Sequence, residues 1–316
     1  MENSDNHIKK YFYNNKIIIL ILLGSFLASI FYSFHFRIDP RVDAKAYDII
    51  ALNVINGDGY RENLDKDIAY DIAVVRVGPL YEYFLAGIYK VFGHNYGFVW
   101  IFQAILHALT ALLVYLTVPL IFSEFHSRKK IALWAAAIVG FYPDLIEISA
   151  MLLTETLYLF FVCLMIYVFF LYFQKTGNWT AIFLGLSSGL ATLARPTVLF
   201  LMPIIFFFFY KKKLRFQSFL FLLALIIVFI PWTARNYAIY NKIMPFGAGG
   251  SFNFWIGNYH GGNGEQEPSS GQFVFLGSHK ISELQGESID QFKNFLIDHP
   301  AEFVKLTFLR ANKYFS

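Results

Sequence analysis

The chain has 316 residues, 57% of them hydrophobic and 20% aromatic, with only 15% charged. A composition this apolar, arranged in long uncharged stretches, excludes an ordinary soluble domain and defines an all-α polytopic membrane protein. The formal net charge of +4 is concentrated in short loops, the single cysteine excludes an intrachain disulfide, and the eight histidines show no HExxH or paired Cys/His spacing from which a metal site could be read.

Lys9, Lys10 and Lys16 precede an apolar run at 17–32. That run is long for a signal-peptide core, and no small-x-small cleavage site follows, so it reads as a retained first membrane helix with its N-terminus in the cytoplasm. Further spans are expected at 98–122, 131–142, 153–173, 180–194, 198–210 and 216–231, about seven in all. Residues 180–210 allow one helix kinked at Pro196 or a hairpin turning at Arg195-Pro196. The hairpin keeps Lys211, Lys212, Lys213 and Arg215 on the cytoplasmic side with Arg128–Lys130 and Lys175, as the positive-inside rule requires. A second turn is expected at 143–147.

The outer side then receives residues 35–96, the two turns, and everything after Trp232. This divides the chain into a membrane domain, 1–231, and an extracytoplasmic segment, 232–316, that ends before any further span. Within the first outer loop, PLYEYFLAGIYKVF is apolar on one face, interrupted by Glu82 and Lys90, and suits a helix lying along the membrane surface. The C-terminal segment opens with an irregular Gly-rich stretch, 246–271, and continues with helical patterns at 281–296 and 301–314. FGAGGSFNFWIGNYHGGNGE lacks a following G-K-[ST], so it marks a flexible outer loop rather than a nucleotide site, and nothing points to a nucleic acid partner.

Five ionisable residues on that outer side have chemistry to offer. Asp43 could act as general base toward an acceptor hydroxyl or could be a helix-capping acid, and Asp39, Asp48, Asp58 and Glu62 compete with it. Glu155 heads a membrane helix, a costly position to bury, and also a position the helix dipole favours for an acid. Arg195 and Arg235 could hold a phosphate through forked hydrogen bonds or could reach to lipid headgroups; Arg76 is a third such cation.

Asp43 with Tyr47, GPLYEYFLAGIYKVFG, FYPDLIEISAMLLTETLYLF, GLATLARP and PWTARNYAIYNKIMPFGAGGSFNFWIGN, in that order, resemble the polyprenyl-phosphate-sugar-dependent membrane glycosyltransferases. That superfamily includes dolichyl-phosphate-mannose protein mannosyltransferases and bacterial aminoarabinose transferases. The resemblance implies a C-type glycosyltransferase bundle with outer-face juxtamembrane helices, in a bacterial inner or plasma membrane. Asp43 would be the base and Glu155 the second acid; Arg195, Arg235 and Arg76 would hold the donor phosphate; and Tyr47, Asn236 and Asn258 would lie near the substrate. It further implies a polyprenyl-phosphate sugar as donor, a lipid, glycan or protein as acceptor, and no obligatory cofactor, a divalent cation being left open. The chain departs from the family pattern in having Ala44 rather than a second acid after Asp43, and in ending before the family's further helices. A transporter or flippase of lipid-linked glycans, or an inactive scaffold, are the alternatives.

Overall fold

The structure, a computed structural model, describes residues 2–76, 78–174, 176–263 and 269–315. Lys175, one of the cations assigned to the cytoplasm, lies outside the described residues, as does 264–268 of the Gly-rich stretch. The helices in chain order are α1 (Glu2–Phe36), α2 (Asp43–Asn56), α3 (Leu80–Phe92), α4 (Tyr96–Ile121), α5 (Arg128–Phe141), α6 (Pro143–Ala150) and α7 (Glu155–Gln174). They continue with α8 (Asn178–Ala194), α9 (Met202–Lys211), α10 (Arg215–Tyr240), α11 (Gly249–Ile256), α12 (Ser270–Ser278), α13 (Ile281–Asp298) and α14 (Pro300–Phe315). Short 3-10 turns cover Ile68–Tyr70, Ile72–Val75 and Pro196–Leu201, and there is no strand among the described residues.

Among the described residues, four helices are long and apolar enough to cross a membrane: Lys16–Phe36 of α1, α4, α7 and α10; α5 and α6 together make a fifth, bent by 48°. Their packing is the inverse of a soluble bundle. Leu20, Phe31, Trp134, Phe183 and Phe207 face outward, whereas Ser25, Ser29 and Ser33 of α1 are fully buried. Lipid solvates apolar side chains on the outside, so small and hydroxylated residues take the helix crossings, where backbones approach and polar groups find partners. Ser29 Oγ meets His107 Nδ1 of α4 at 3.2 Å, and His107 Nε2 meets the Val139 carbonyl of α5 at 3.1 Å. On α8, a Cβ added at Gly185 would collide with the Phe221 carbonyl of α10. Gly185→Val is therefore expected to pry α8 from α10 and destabilise the bundle by about 1–3 kcal/mol, read as a lowered melting temperature in detergent.

The hairpin reading of 180–210 is the one adopted. α8 ends at Arg195, whose backbone is extended, and Pro196 starts the next turn. Tyr158, near the start of α7, touches Thr197 at 3.0 Å, while Tyr172, near its end, packs on Phe209 with ring centroids 5.5 Å apart. Pro196–Lys211 thus runs the length of α7 and antiparallel to α8. This returns Lys211 to the end where α7 passes to α8, and leaves Glu155 and Arg195 at the other.

Two connecting segments differ from expectation. The turn at 143–147 is helical and reaches Ala150, because Pro143 stands at its first turn, where a missing N–H costs nothing, and Asp144 complements the helix dipole. Part of the expected irregular stretch 246–271 is α11, packed on the Ile72–Val75 turn: Ala248 N–H donates to the Val74 carbonyl at 2.6 Å, and only a glycine fits at 249 against Val75. Helix α3 forms where the amphipathic pattern puts it, with Tyr81, Leu85 and Tyr89 packed on α2 and Glu82 buried as well.

Candidate active site

Two acid–arginine clusters meet at the α7-start, α8-end pole of the bundle. Asp43 opens α2, following Val42, whose φ of 47° is strained for a β-branched residue. Its carboxylate is 51% exposed and accepts from Arg76 Nη1 at 2.6 Å. Arg76 follows the Ile72–Val75 turn and forks the other way onto Glu62, through Nε at 3.0 Å and Nη2 at 2.8 Å. Burial works against the guanidinium's charge, but the hydrogen bonds and charge of Glu62 and the charge of Asp43 more than offset it, so Arg76 holds its proton more tightly than usual.

The second cluster is Glu155, at the first turn of α7, with Arg195 Nη1 at 2.8 Å. Thr154 Oγ1 donates to the other oxygen of Glu155 at 3.2 Å. Gly78 links this pair to the first: a Cβ there would collide with the Leu193 carbonyl, so the entry to α3 lies directly on the last turn of α8, bringing Arg76 and Arg195 to one pole. Tyr47, buried one turn after Asp43, stands in the field of Asp43, Glu82, Glu155 and Arg195 together. Burial raises its phenol above the ordinary value, and the three acids raise it further.

Glu82 is the residue sequence reasoning placed as a mere interruption. It is fully buried, and neither oxygen meets full hydrogen-bond geometry with any partner. Burial pushes its carboxyl up to about 8, with its own backbone N–H, the Tyr60 hydroxyl and the Arg76 charge acting the other way. Glu62, named only as a competitor of Asp43, is the residue that orients Arg76. Asp48, another competitor, is committed to structure, accepting from Tyr89 at 2.5 Å, from Tyr96 at 2.9 Å, and meeting His94 Nε2 at 3.0 Å.

Arg235, Asn236 and Asn258 stand apart from these clusters. Arg235 lies over the rings of Trp232 (5.2 Å), Tyr60 (5.5 Å) and Tyr240 (5.6 Å) and donates to the Tyr60 carbonyl at 2.9 Å. Among the described residues no hydrogen bond or ion pair joins it to Asp43, Glu155 or Arg195. Asn236 is buried between Arg235 and the Met244 carbonyl, and Asn258 accepts from Arg310 of α14 at 2.7 Å.

A cleft of about 420 Å³ opens at the first turn of α2, lined by Phe36–Arg41, Ala44 and Met151–Leu153. Arg37, Asp39 and Arg41 give it polar walls, and Leu153 leads directly to Thr154 and Glu155. A larger one, about 880 Å³, lies at the α9–α10 turn among Lys211, Lys213 and Arg215, remote from any of these acids.

A bundle of helices apolar and long enough to cross a membrane, with carboxylate–guanidinium pairs at one pole, defines an integral membrane protein. The family model described as dolichyl-phosphate-mannose-protein mannosyltransferase matches residues 76–234, half of the chain, and the chain belongs to that family. Membership makes it a membrane glycosyltransferase of the mannosyltransferase-like type. The matched stretch includes Arg76, Glu82, Glu155 and Arg195 and begins after Asp43 and Tyr47. No curated protein and no solved structure matches the chain.

Proposed function

We propose that the protein transfers a sugar from a polyprenyl-phosphate donor to a hydroxyl or amine of a lipid, glycan or protein acceptor, at the extracytoplasmic face and with inversion. The observation that carries this reading is the half-exposed Asp43 carboxylate, held by Arg76 at the same pole as the Glu155–Arg195 pair. Asp43 takes the acceptor proton as the acceptor oxygen or nitrogen attacks the anomeric carbon; the bond from that carbon to the phosphate oxygen breaks, and its electron pair leaves with the polyprenyl phosphate. The departing phosphate gains negative charge, which Arg195 and Arg76 are placed to receive. Both guanidinium groups are already oriented by carboxylates, so little reorganisation is needed when the anion arrives. Arg235 holds Tyr60, two residues before Glu62, through its aromatic box.

The cations at the opposite pole support this sidedness. Arg128, Lys130, Lys211, Lys212, Lys213 and Arg215 cluster where α4 meets α5 and α9 meets α10, and the positive-inside rule assigns that pole to the cytoplasm. A flippase would use ionisable residues distributed through the membrane depth, whereas here the acid–arginine pairs gather at one end. The test is a transfer assay with a labelled polyprenyl-phosphate sugar and purified protein in nanodiscs, following released polyprenyl phosphate and product anomer. Arg195→Ala is expected to lower turnover about a hundredfold. A retained anomeric configuration, or wild-type turnover in Arg195→Ala, would overturn the proposal.

A further inference from the structure

A cluster outside this site brings together three metal-binding side chains from separate parts of the C-terminal segment. His260 comes from the loop after α11, His299 caps the end of α13, and Glu302 stands in the first turn of α14. One ligand atom from each lies within 4.8 Å of the other two. We propose that His260, His299 and Glu302 form a binding site for a divalent transition-metal ion of the zinc class, tying the Gly-rich loop to the α13–α14 corner.

The donor set is the first argument. Two imidazoles and one carboxylate make a three-ligand zinc set that leaves a fourth position for water, and imidazole nitrogen selects zinc-like ions over calcium or magnesium.

The second argument is that the carboxylate is already fixed. Glu302 Oε1 accepts from the Gly261 N–H at 2.8 Å, leaving Oε2 toward His260 Nδ1 at 2.7 Å. A hydrogen bond to the other oxygen is how liganding carboxylates are commonly oriented.

Third, the frame is braced. Arg310 of α14 donates to the Gly257 carbonyl and to Asn258 Oδ1, so the loop and the helix are held together on both sides of the cluster before any ion arrives.

Fourth, the His299 ring nitrogens make no hydrogen bond among the described residues, although the ring lies stacked on His260 with centroids 4.1 Å apart. An imidazole beside a carboxylate, with neither ring nitrogen engaged in a hydrogen bond, can turn a nitrogen toward an ion without breaking a contact.

Binding requires a small local change. Tetrahedral zinc with ligands at about 2.0–2.2 Å separates its donor atoms by roughly 3.3 Å, so His260 Nδ1 must draw back slightly from Glu302 and its ring must turn out of the stack. His260 is 70% exposed, which leaves its ring room to do so. The occupied site would lock the loop without touching Asp43, Arg76, Glu155 or Arg195.

The experiment uses the full chain, purified without a polyhistidine tag, treated with chelator and dialysed. Titration with zinc chloride by calorimetry, together with elemental analysis, is expected to give one equivalent per chain and a raised melting temperature. His299→Ala and Glu302→Gln are each expected to weaken association at least tenfold and to abolish the thermal shift, with metal-free melting as in the wild type. His94→Ala, which alters the histidine–carboxylate pair at Asp48, should bind as the wild type does. His260→Ala, on an exposed loop position, gives the same reading should either helix variant fail to fold. Absence of saturable one-to-one binding, or unchanged affinity in His260→Ala and His299→Ala, overturns the site.

Discussion

Replacing Asp43 with asparagine is expected to cut sugar transfer by about 10²–10⁴-fold while leaving the fold in place. Asparagine matches aspartate in shape, and its carbonyl can still accept from Arg76, but it cannot take a proton from the acceptor. The lost ion pair cannot account for such a decrease through stability. Asp43 is half exposed, and an exposed pair of this kind contributes about 0–1 kcal/mol once solvent screening is allowed for. Melting temperature and transfer rate therefore separate, the first nearly unchanged and the second collapsed. Glu62→Gln supplies the comparison: it loosens Arg76 without touching the proton-accepting group and should cost far less. Full activity in Asp43→Asn would falsify the base assignment.

Glu82→Gln is expected to have the largest effect on stability, and in the stabilising direction above neutral pH. The carboxyl has an ordinary value of 4.5 and is raised to about 8 by burial in the folded protein. Below the ordinary value both folded and unfolded chains carry the proton, and Glu82 is without effect. Between the two values the folded chain keeps a proton that the unfolded chain has released, so stability falls as pH rises. By the upper value the accumulated loss is about 5 kcal/mol, at 1.36 kcal/mol per unit. Glutamine keeps the shape and stays neutral, so the difference between wild-type and Glu82→Gln melting temperatures should grow from pH 5 to pH 8. Parallel curves across that range would show that the carboxyl is ionised or hydrated in the folded state. The raised value also bears on the proposed chemistry: a protonated Glu82 near Arg76 does not repel an arriving phosphate.

Much of this arrangement is legible in the amino-acid pattern, and the remainder fails for identifiable reasons. The apolar runs place the long helices, and the segregation of Lys211–Arg215 from Glu155 and Arg195 selects the hairpin at Pro196 that the Tyr158–Thr197 and Tyr172–Phe209 contacts bear out. Arg76 reads as the weakest of three cations because nothing local ties it to an acid; its bridge spans 33 residues to Asp43 and 14 to Glu62. Glu82 reads as a polar break on an amphipathic helix because the groups that bear on it, Tyr60 and Tyr47 of α2 among them, are distant in sequence. Arg235 invites a phosphate reading from charge alone, whereas the rings that enclose it come from residue 60 as well as from its own helix. Helix α11 is hidden among glycines that look like loop, since the close approach to Val75 that demands Gly249 is tertiary.

The core that contains Ile50, Tyr60, Ala73 and Val74 also contains Met244, Ala248, Phe252, Ile256, Ile281 and Leu284. The segment beyond α10 is therefore not an appendage hung from that helix but the other half of the scaffold on which Arg76 is mounted. A protease nick or engineered split near residue 242 would cut through that shared interior, and its first casualty would be the alignment of the guanidinium facing Asp43, long before any membrane helix came loose.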